Sequence, residues 1–245
     1  MKYTVQVKDI GKQFALFPKD QPQTLQEAFI KGATIFKKRE KYWALRHISF
    51  QVPHGHVLGV IGKNGAGKST LLRLLSRVSR PDEGQIRTNG RLGGLLELGT
   101  GFHPNLTGRD NVFTNGIICG LTKKEVQERF DQIVSFAELE EVIDDPLRTY
   151  STGMRMRLGF AVAAHTDPDI LLVDEVLAVG DEAFQKKCFQ KINTFRRDGK
   201  TIIIVSHNLS QIVELCDKVI WLHKEEIRFQ GTAQDTVNEY LAASM

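Results

Sequence analysis

Cysteine is scarce in this 245-residue chain, long apolar runs are absent, and neither sign of charge dominates. The three cysteines, Cys119, Cys188 and Cys216, are widely spaced, odd in number and without a CxxC pair. That argues against a disulfide framework and fits a reducing compartment, so the chain is expected to be cytosolic. No apolar run approaches the roughly 20 residues that cross a bilayer, and the opening MKYTVQVKDIGKQF lacks the apolar core of a leader peptide. Any membrane role therefore has to come through a partner. The formal net charge of +4 is modest, whereas a nucleic-acid protein more often carries a dense basic face with interleaved aromatics, so no nucleic-acid partner is expected. No internal repeat, heptad run or low-complexity tract appears.

What is present is ample core material, 41% hydrophobic residues, arranged as short apolar runs alternating with amphipathic segments. HVLGVIG, DILLVDE, TIIIVSH and KVIWLH have the apolar, β-branched character of strands buried on both faces, which predicts an α/β fold with a mostly parallel sheet covered by helices. Between Gly90 and Pro146 the pattern changes. GRLGGLLELGTGFHPNLTGRDN reads as glycine-rich loop, and TKKEVQERFDQIVSFAEL as an amphipathic helix with Val126, Phe130, Ile133, Val134 and Ala137 on one face. A helical subdomain set into one α/β core is expected.

The strongest chemical signal is GKNGAGKST, from Gly62 to Thr70, between the strand HVLGVI and the helix-like LLRLLSRV. Gly62, Asn64, Gly65, Ala66 and Gly67 let the backbone curl so that N–H groups face phosphate oxygens, and the helix start adds its dipole. Lys68 is expected at the β- and γ-phosphates of a nucleoside triphosphate, Ser69 on Mg²⁺ and Thr70 at the α-phosphate. DILLVDE brings Asp174 and Glu175 to the carboxyl end of a strand, where ligands of open parallel sheets collect. Asp174 is expected to hold the metal, and Glu175 to act as the base that orients the attacking water. TIIIVSH places His207 at the same sheet edge, within reach of a γ-phosphate. Finally, in YSTGMRMRLGFAVAAHTDPDILLVDE, Ser151, Thr152 and Gly153 open a helix and form a second anion-binding site. Two phosphate grips aimed at different places suit two chains packed head to tail, each covering the other's nucleotide.

In order, the P-loop, STGMR, VDEVLAVGD and VSH resemble the ATP-binding cassette family across essentially the whole chain. The resemblance implies a RecA-like P-loop NTPase core with an antiparallel β portion and an inserted helical subdomain, with ATP and Mg²⁺ as cofactors. It matches Ser151 to Arg155 to the signature usually written LSGGQ, with departures at Thr152, Met154 and Arg155 while Ser151 and Gly153 are kept. It matches AVGD, Ala178 to Asp181, to the D-loop between subunits, with Asp181 as its key residue. The Gln that usually begins the loop toward the membrane partner is missing from LLELGTGFHPNLTG. Glu97 stands nearest that place, either as a metal ligand or as a surface residue at a strand end. The aromatic that stacks on adenine is matched by Phe14, with Tyr42 and Trp43 as rivals.

The family usually joins its first two strands by a short turn, but here FPKDQPQTLQEAFIKGATIFKKREKYW intervenes. Within this insert, residues 18–42, Leu25, Phe29, Ala33 and Phe36 share one helical face, with Lys31, Lys37, Lys38, Arg39 and Lys41 around it. It lies either on the protein's own sheet or, as a gate helix, against a membrane subunit. Together with the signature and D-loop, the insert resembles ATPase subunits that export lipid-linked polysaccharides: O-antigen, capsule-like polymers and teichoic acid. That resemblance implies a single ATPase domain over residues 1–245, a helical subdomain at about 98–158, a head-to-tail homodimer, and a transmembrane permease in two copies. It also implies a peripheral position on the cytoplasmic face of the plasma membrane and a lipid-linked polysaccharide as cargo. The alternatives are a soluble ABC-type ATPase acting on ribosomes or DNA, and an ABC ATPase for another transport substrate. Whether a carbohydrate-binding domain follows DTVNEYLAASM stays open.

Overall fold

The computed structural model describes residues 3–16, 40–95, 99–174 and 180–243. Glu97, Glu175 and residues 17–39 of the insert lie outside them. In chain order the elements are β1 (Tyr3–Ala15), β2 (Lys41–Pro53), β3 (Val57–Ile61), α1 (Lys68–Leu75), β4 (Glu83–Thr88), β5 (Leu92–Leu95), α2 (Gly108–Ile118), α3 (Lys123–Ala137), α4 (Thr152–Ala164), β6 (Ile170–Val173), α5 (Glu182–Arg197), β7 (Thr201–Val205), α6 (Leu209–Leu215), β8 (Lys218–His223), β9 (Glu226–Thr232) and α7 (Ala233–Ala242).

Six strands form one sheet in the order β5-β6-β7-β3-β8-β9, parallel except for β9. The order β2-β1-β4 forms a separate antiparallel sheet. This is the α/β fold with a mostly parallel sheet and an antiparallel portion. Its central strands are apolar through their middles because each face meets a different core. Leu171 and Val173 of β6, Ile202 and Ile204 of β7, and Val219 and Trp221 of β8 join one cluster with Phe184, Cys188, Ile192 and Phe195 of α5. Their alternates Ile170, Leu172, Ile203, Val205, Ile220 and Leu222 join a second cluster, with α1 and the antiparallel sheet. A side-chain period of two sends neighbours to opposite faces, so burial on both leaves no polar position.

A third cluster belongs to α2, α3 and α4. On α3 the buried residues are Val126, Phe130, Ile133, Val134 and Ala137, the face expected from the spacing. The stretch read as glycine-rich loop differs from that expectation. It contains β5, and its last residues start α2. Periodicity hides α2 because its buried face includes Gly108, Asn111, Asn115 and Gly116, residues that carry no apolar stripe. The glycines are buried by close approach, Gly108 to Tyr150 and Ile143 and Gly116 to Val126, and the asparagines because they hold the preceding loop. Asn111 Nδ2 donates to Thr107 O at 2.8 Å and its Oδ1 accepts from His103 N at 2.7 Å, while Asn115 Nδ2 donates to Thr100 O at 3.0 Å.

His165, just past α4, lies edge-on to Phe136 at 5.4 Å, and its Nδ1 donates to Ala161 O at 2.7 Å. Burial pushes its pKa down to about 4. In the unfolded chain the imidazole binds a proton near its ordinary value of 6.5, so between pH 6.5 and 4 the unfolded state holds the extra proton. Stability present above pH 6.5 is therefore lost as pH falls through that window. Urea titrations at pH 7, 5.5 and 4 should show a steeper loss for the wild type than for His165→Gln, which keeps an N–H donor without the titration.

Candidate functional site

Three adjacent parallel strands set the site. Val173 of β6 is level with Ile204 of β7, and Val205 of β7 is level with Val60 of β3. Their carboxyl ends therefore fall on one edge. From that edge leave the loop Gly62–Gly67, Asp174, and Ser206–His207.

Two glycines are required where this loop turns. Gly67 has φ +95°, and a Cβ there would come within 2.6 Å of Ala44 O and Leu45 Cδ2; Gly62 has φ +153°, and a Cβ there would run into Leu222 O. Both are close approaches that only glycine tolerates. Helix α1 begins at Lys68 without a side-chain cap or an acid in its first turn, so its leading N–H groups remain available to an anion. Lys68 is 7% exposed. Its Nζ donates to Gly62 O at 2.8 Å and to Lys63 O at 3.3 Å, which holds the ammonium over the loop.

Above the loop is an open cavity of ≈ 680 Å³ lined by Asn64, Gly65, Gly67, Lys68, Ser69, Thr70 and Asp174, with Tyr42, Trp43, Ala44 and Glu225. A larger groove of ≈ 1000 Å³ runs between the two sheets near the first residues of β3 and β8. None of the motif residues lines it, so chemistry rather than size identifies the site. Buried Ala66 shapes the loop from below, its N–H donating to Lys63 O at 3.1 Å. Phe14 does not line the cavity. It pairs with Tyr42 across the strands, ring centroids 6.1 Å apart, and Tyr42 and Trp43 are the aromatic rings on the cavity wall. His207 is exposed just beyond β7 and is not in the lining either.

The segment expected to form a second anion-binding site is somewhere else. Ser151 caps α4, its Oγ accepting from Met154 N at 3.1 Å. None of Ser151, Thr152 and Gly153 lines the cavity. Among the described residues, a Cβ added at Gly153 would meet only Ser151 Oγ, at 3.8 Å, so none of them demands a glycine there.

Asp181 caps α5. Its Oδ1 accepts from Phe184 N at 2.9 Å and its Oδ2 from Arg157 at 2.6 Å. The Phe184 N–H first, and the Arg157 guanidinium with it, hold this carboxyl below its usual range against the cost of desolvation. Arg157 on α4 also reaches Glu138 Oε2 at 3.0 Å and lies 5.1 Å over the Phe184 ring. Glu138 in turn accepts from Lys187 at 3.1 Å. Neither Arg157 nor Glu225 stands out in the sequence. Arg157 looks like one more cation on a helix face, and Glu225 reaches the cavity only because β8 pairs with β3.

Residues 45–178 match the ABC transporter family. The chain belongs to that family. An O-antigen export system ATP-binding protein, RfbB, from Klebsiella pneumoniae is 49% identical over 213 residues, covering 87% of each chain. A Myxococcus xanthus protein of the same name is 45% identical, covering 94% of this chain and 56% of its own length. A teichoic acids export ATP-binding protein, TagH, from Bacillus anthracis is 38% identical, covering 98% of this chain and 43% of itself. Among solved structures, an ATP-binding subunit of an ABC transporter superposes with a TM-score of 0.76 at 21% identity, covering 97% of this chain and 93% of that one. The ATP-binding cassette MJ0796, solved as a dimer in a post-hydrolysis state with ADP and phosphate, gives 0.74 at 21%, covering 94% and 98%. These two likenesses establish the ABC cassette fold.

Arg157 is 20% exposed at its side chain, but its partners Glu138 and Asp181 are 52% and 62% exposed. Screening therefore leaves Arg157→Gln only a small loss of stability, read as a lower midpoint in denaturant titration.

Proposed function

We propose that this chain is the ATP-hydrolysing subunit of an ABC exporter that drives a lipid-linked polysaccharide across the cytoplasmic membrane. The ATPase reading is carried by one observation: the glycine loop, Lys68, Ser69, Thr70 and Asp174 line a single cavity over an uncapped helix start. Support for the cargo comes from relatives named for O-antigen and teichoic acid export at 38 to 49% identity. No described helix is long and apolar enough to cross a membrane, so coupling goes through a permease, in two copies at the cytoplasmic face.

Lys68 leaves the carbonyls of Gly62 and Lys63 to meet the β- and γ-phosphates, while Gly62 to Gly67 and the N–H groups of α1 surround them. Thr70 takes the α-phosphate. Ser69 and Asp174 offer hard oxygen donors on the same cavity wall, a set that fits Mg²⁺, with Glu97 as a further candidate ligand. When bound, Mg²⁺ would neutralise phosphate charge. Glu175 orients and deprotonates the attacking water, and His207 contacts the γ-phosphate. Tyr42, braced by Phe14, stacks on the base.

Closure takes two chains head to tail. Ser151, Thr152 and Gly153 stand away from their own chain's cavity, and the open space at Gly153 suits the close approach of a phosphate held by the other chain. Asp181, fixed by Arg157, lies between the subunits. In this reading residues 1–245 form one ATPase domain, about 98–158 its helical subdomain, and 18–42 a gate helix against the permease.

The deciding experiment is a membrane pull-down with Glu175→Gln and ATP. A trapped dimer carrying a multi-helix permease and a lipid-linked glycan is expected; recovery of ribosomes or DNA would overturn the export reading. A second prediction has opposite signs in two assays. Gly153→Asp puts a carboxylate at the start of α4, which should raise stability by about 0.3 to 1 kcal/mol. The same charge faces the partner's phosphates and should cut steady-state ATPase by at least about tenfold.

A further inference from the structure

Arg157 divides its guanidinium between two carboxylates that come from different segments. Nη2 donates to Asp181 Oδ2 at 2.6 Å and Nη1 to Glu138 Oε2 at 3.0 Å, while the group rests on the ring of buried Phe184. The two acids are not in the same position. Glu138 is the left-handed end of α3, φ +58°, and has a second cation, since Lys187 donates to its Oε1 at 3.1 Å. Among the described residues Asp181 is paired with Arg157 alone. The chain entering Asp181 passes close to that guanidinium. Gly180 has φ +72°, and a Cβ there would come 3.3 Å from Arg157 Nε and 3.2 Å from Phe184 Cβ.

In the single chain the pair counts for little, because Asp181 is 62% exposed and water screens most of the attraction. Covering the loop changes this. A carboxylate packed against a second chain loses its water, and a desolvated charge with no partner is strongly disfavoured. A cation already in contact, braced by Glu138 and Phe184, removes that penalty without rearrangement. Arg157 also stands on the helix whose start carries Ser151 and Gly153, six residues beyond Ser151 and so about 9 Å along the axis.

Resting on the head-to-tail reading above, we propose that Arg157 is a positioning residue for the closed dimer. It holds the Asp181 carboxylate at the surface that meets the partner chain and neutralises it as that surface is covered. Glu138, which Lys187 also neutralises, takes no part in that contact.

The test uses the full chain with Glu175→Gln and ATP, and reads the dimer dissociation constant by sedimentation. Arg157→Gln should raise it at least about tenfold. Asp181→Asn keeps a capping side chain on α5 without the charge. In a chain that also carries it, the same Arg157→Gln should raise the constant by less than about twofold. Glu138→Gln removes a bond to the same guanidinium and should leave the constant within about twofold of its starting value. An unchanged constant in Arg157→Gln overturns the proposal. So does an equal rise with and without Asp181→Asn, which would assign Arg157 to the fold and not to Asp181, and so does a rise of the same size in Glu138→Gln. If the Glu175→Gln chain stays monomeric with ATP, the head-to-tail reading itself falls, and the proposal with it.

Discussion

The constraint on which the rest depends is the register of three parallel strands, β6, β7 and β3, each buried on both faces. A one-residue slip in any of them would exchange its two side-chain sets between cores that differ in shape and composition. Because the register cannot slip cheaply, Asp174, Ser206 and Gly62 leave the same edge of the sheet, each one residue further along than the last. Chemistry contributed by segments far apart in the chain is thereby held on rigid elements, with only the connecting loops free to vary.

Charge at this edge is arranged for a ligand that brings its own. Lys68 is nearly buried, and among the described residues its bonds go to carbonyl oxygens, weaker partners for an ammonium than anionic oxygens are. The α1 start adds uncapped N–H groups and no competing acid. Asp174 after β6 and Glu225 after β8 reach the cavity from opposite sides of β3. Farther off, the Arg157 bridge joins α4 to the cap of α5.

Legibility in the sequence followed physical scale. The strands β3, β6, β7 and β8 were readable because burial on both faces forces continuous apolar runs. The face of α3 was readable because one buried side gives a 3.6-residue period. Helix α2 was not, since its inward side is built from Gly108, Asn111, Asn115 and Gly116, which serve hydrogen bonding and close approach. In the site, the glycine loop and the acids after β6 announce themselves by type and spacing. Tyr42 could be weighed against Phe14 and Trp43 but not separated from them, because stacking leaves no spacing rule behind.

By itself, then, the sequence determined the family, the α/β fold class and the place of the glycine loop between β3 and α1. Those depend on local backbone conformation and on side-chain chemistry carried within a few residues. Only the tertiary structure decided which aromatic faces the cavity, that Arg157 clamps Asp181, and that a hairpin tip brings Glu225 to the cavity from the side of β3 opposite Asp174. Each of these is a contact between segments distant in the chain, created by strand order and register, and no run of neighbouring residues encodes it.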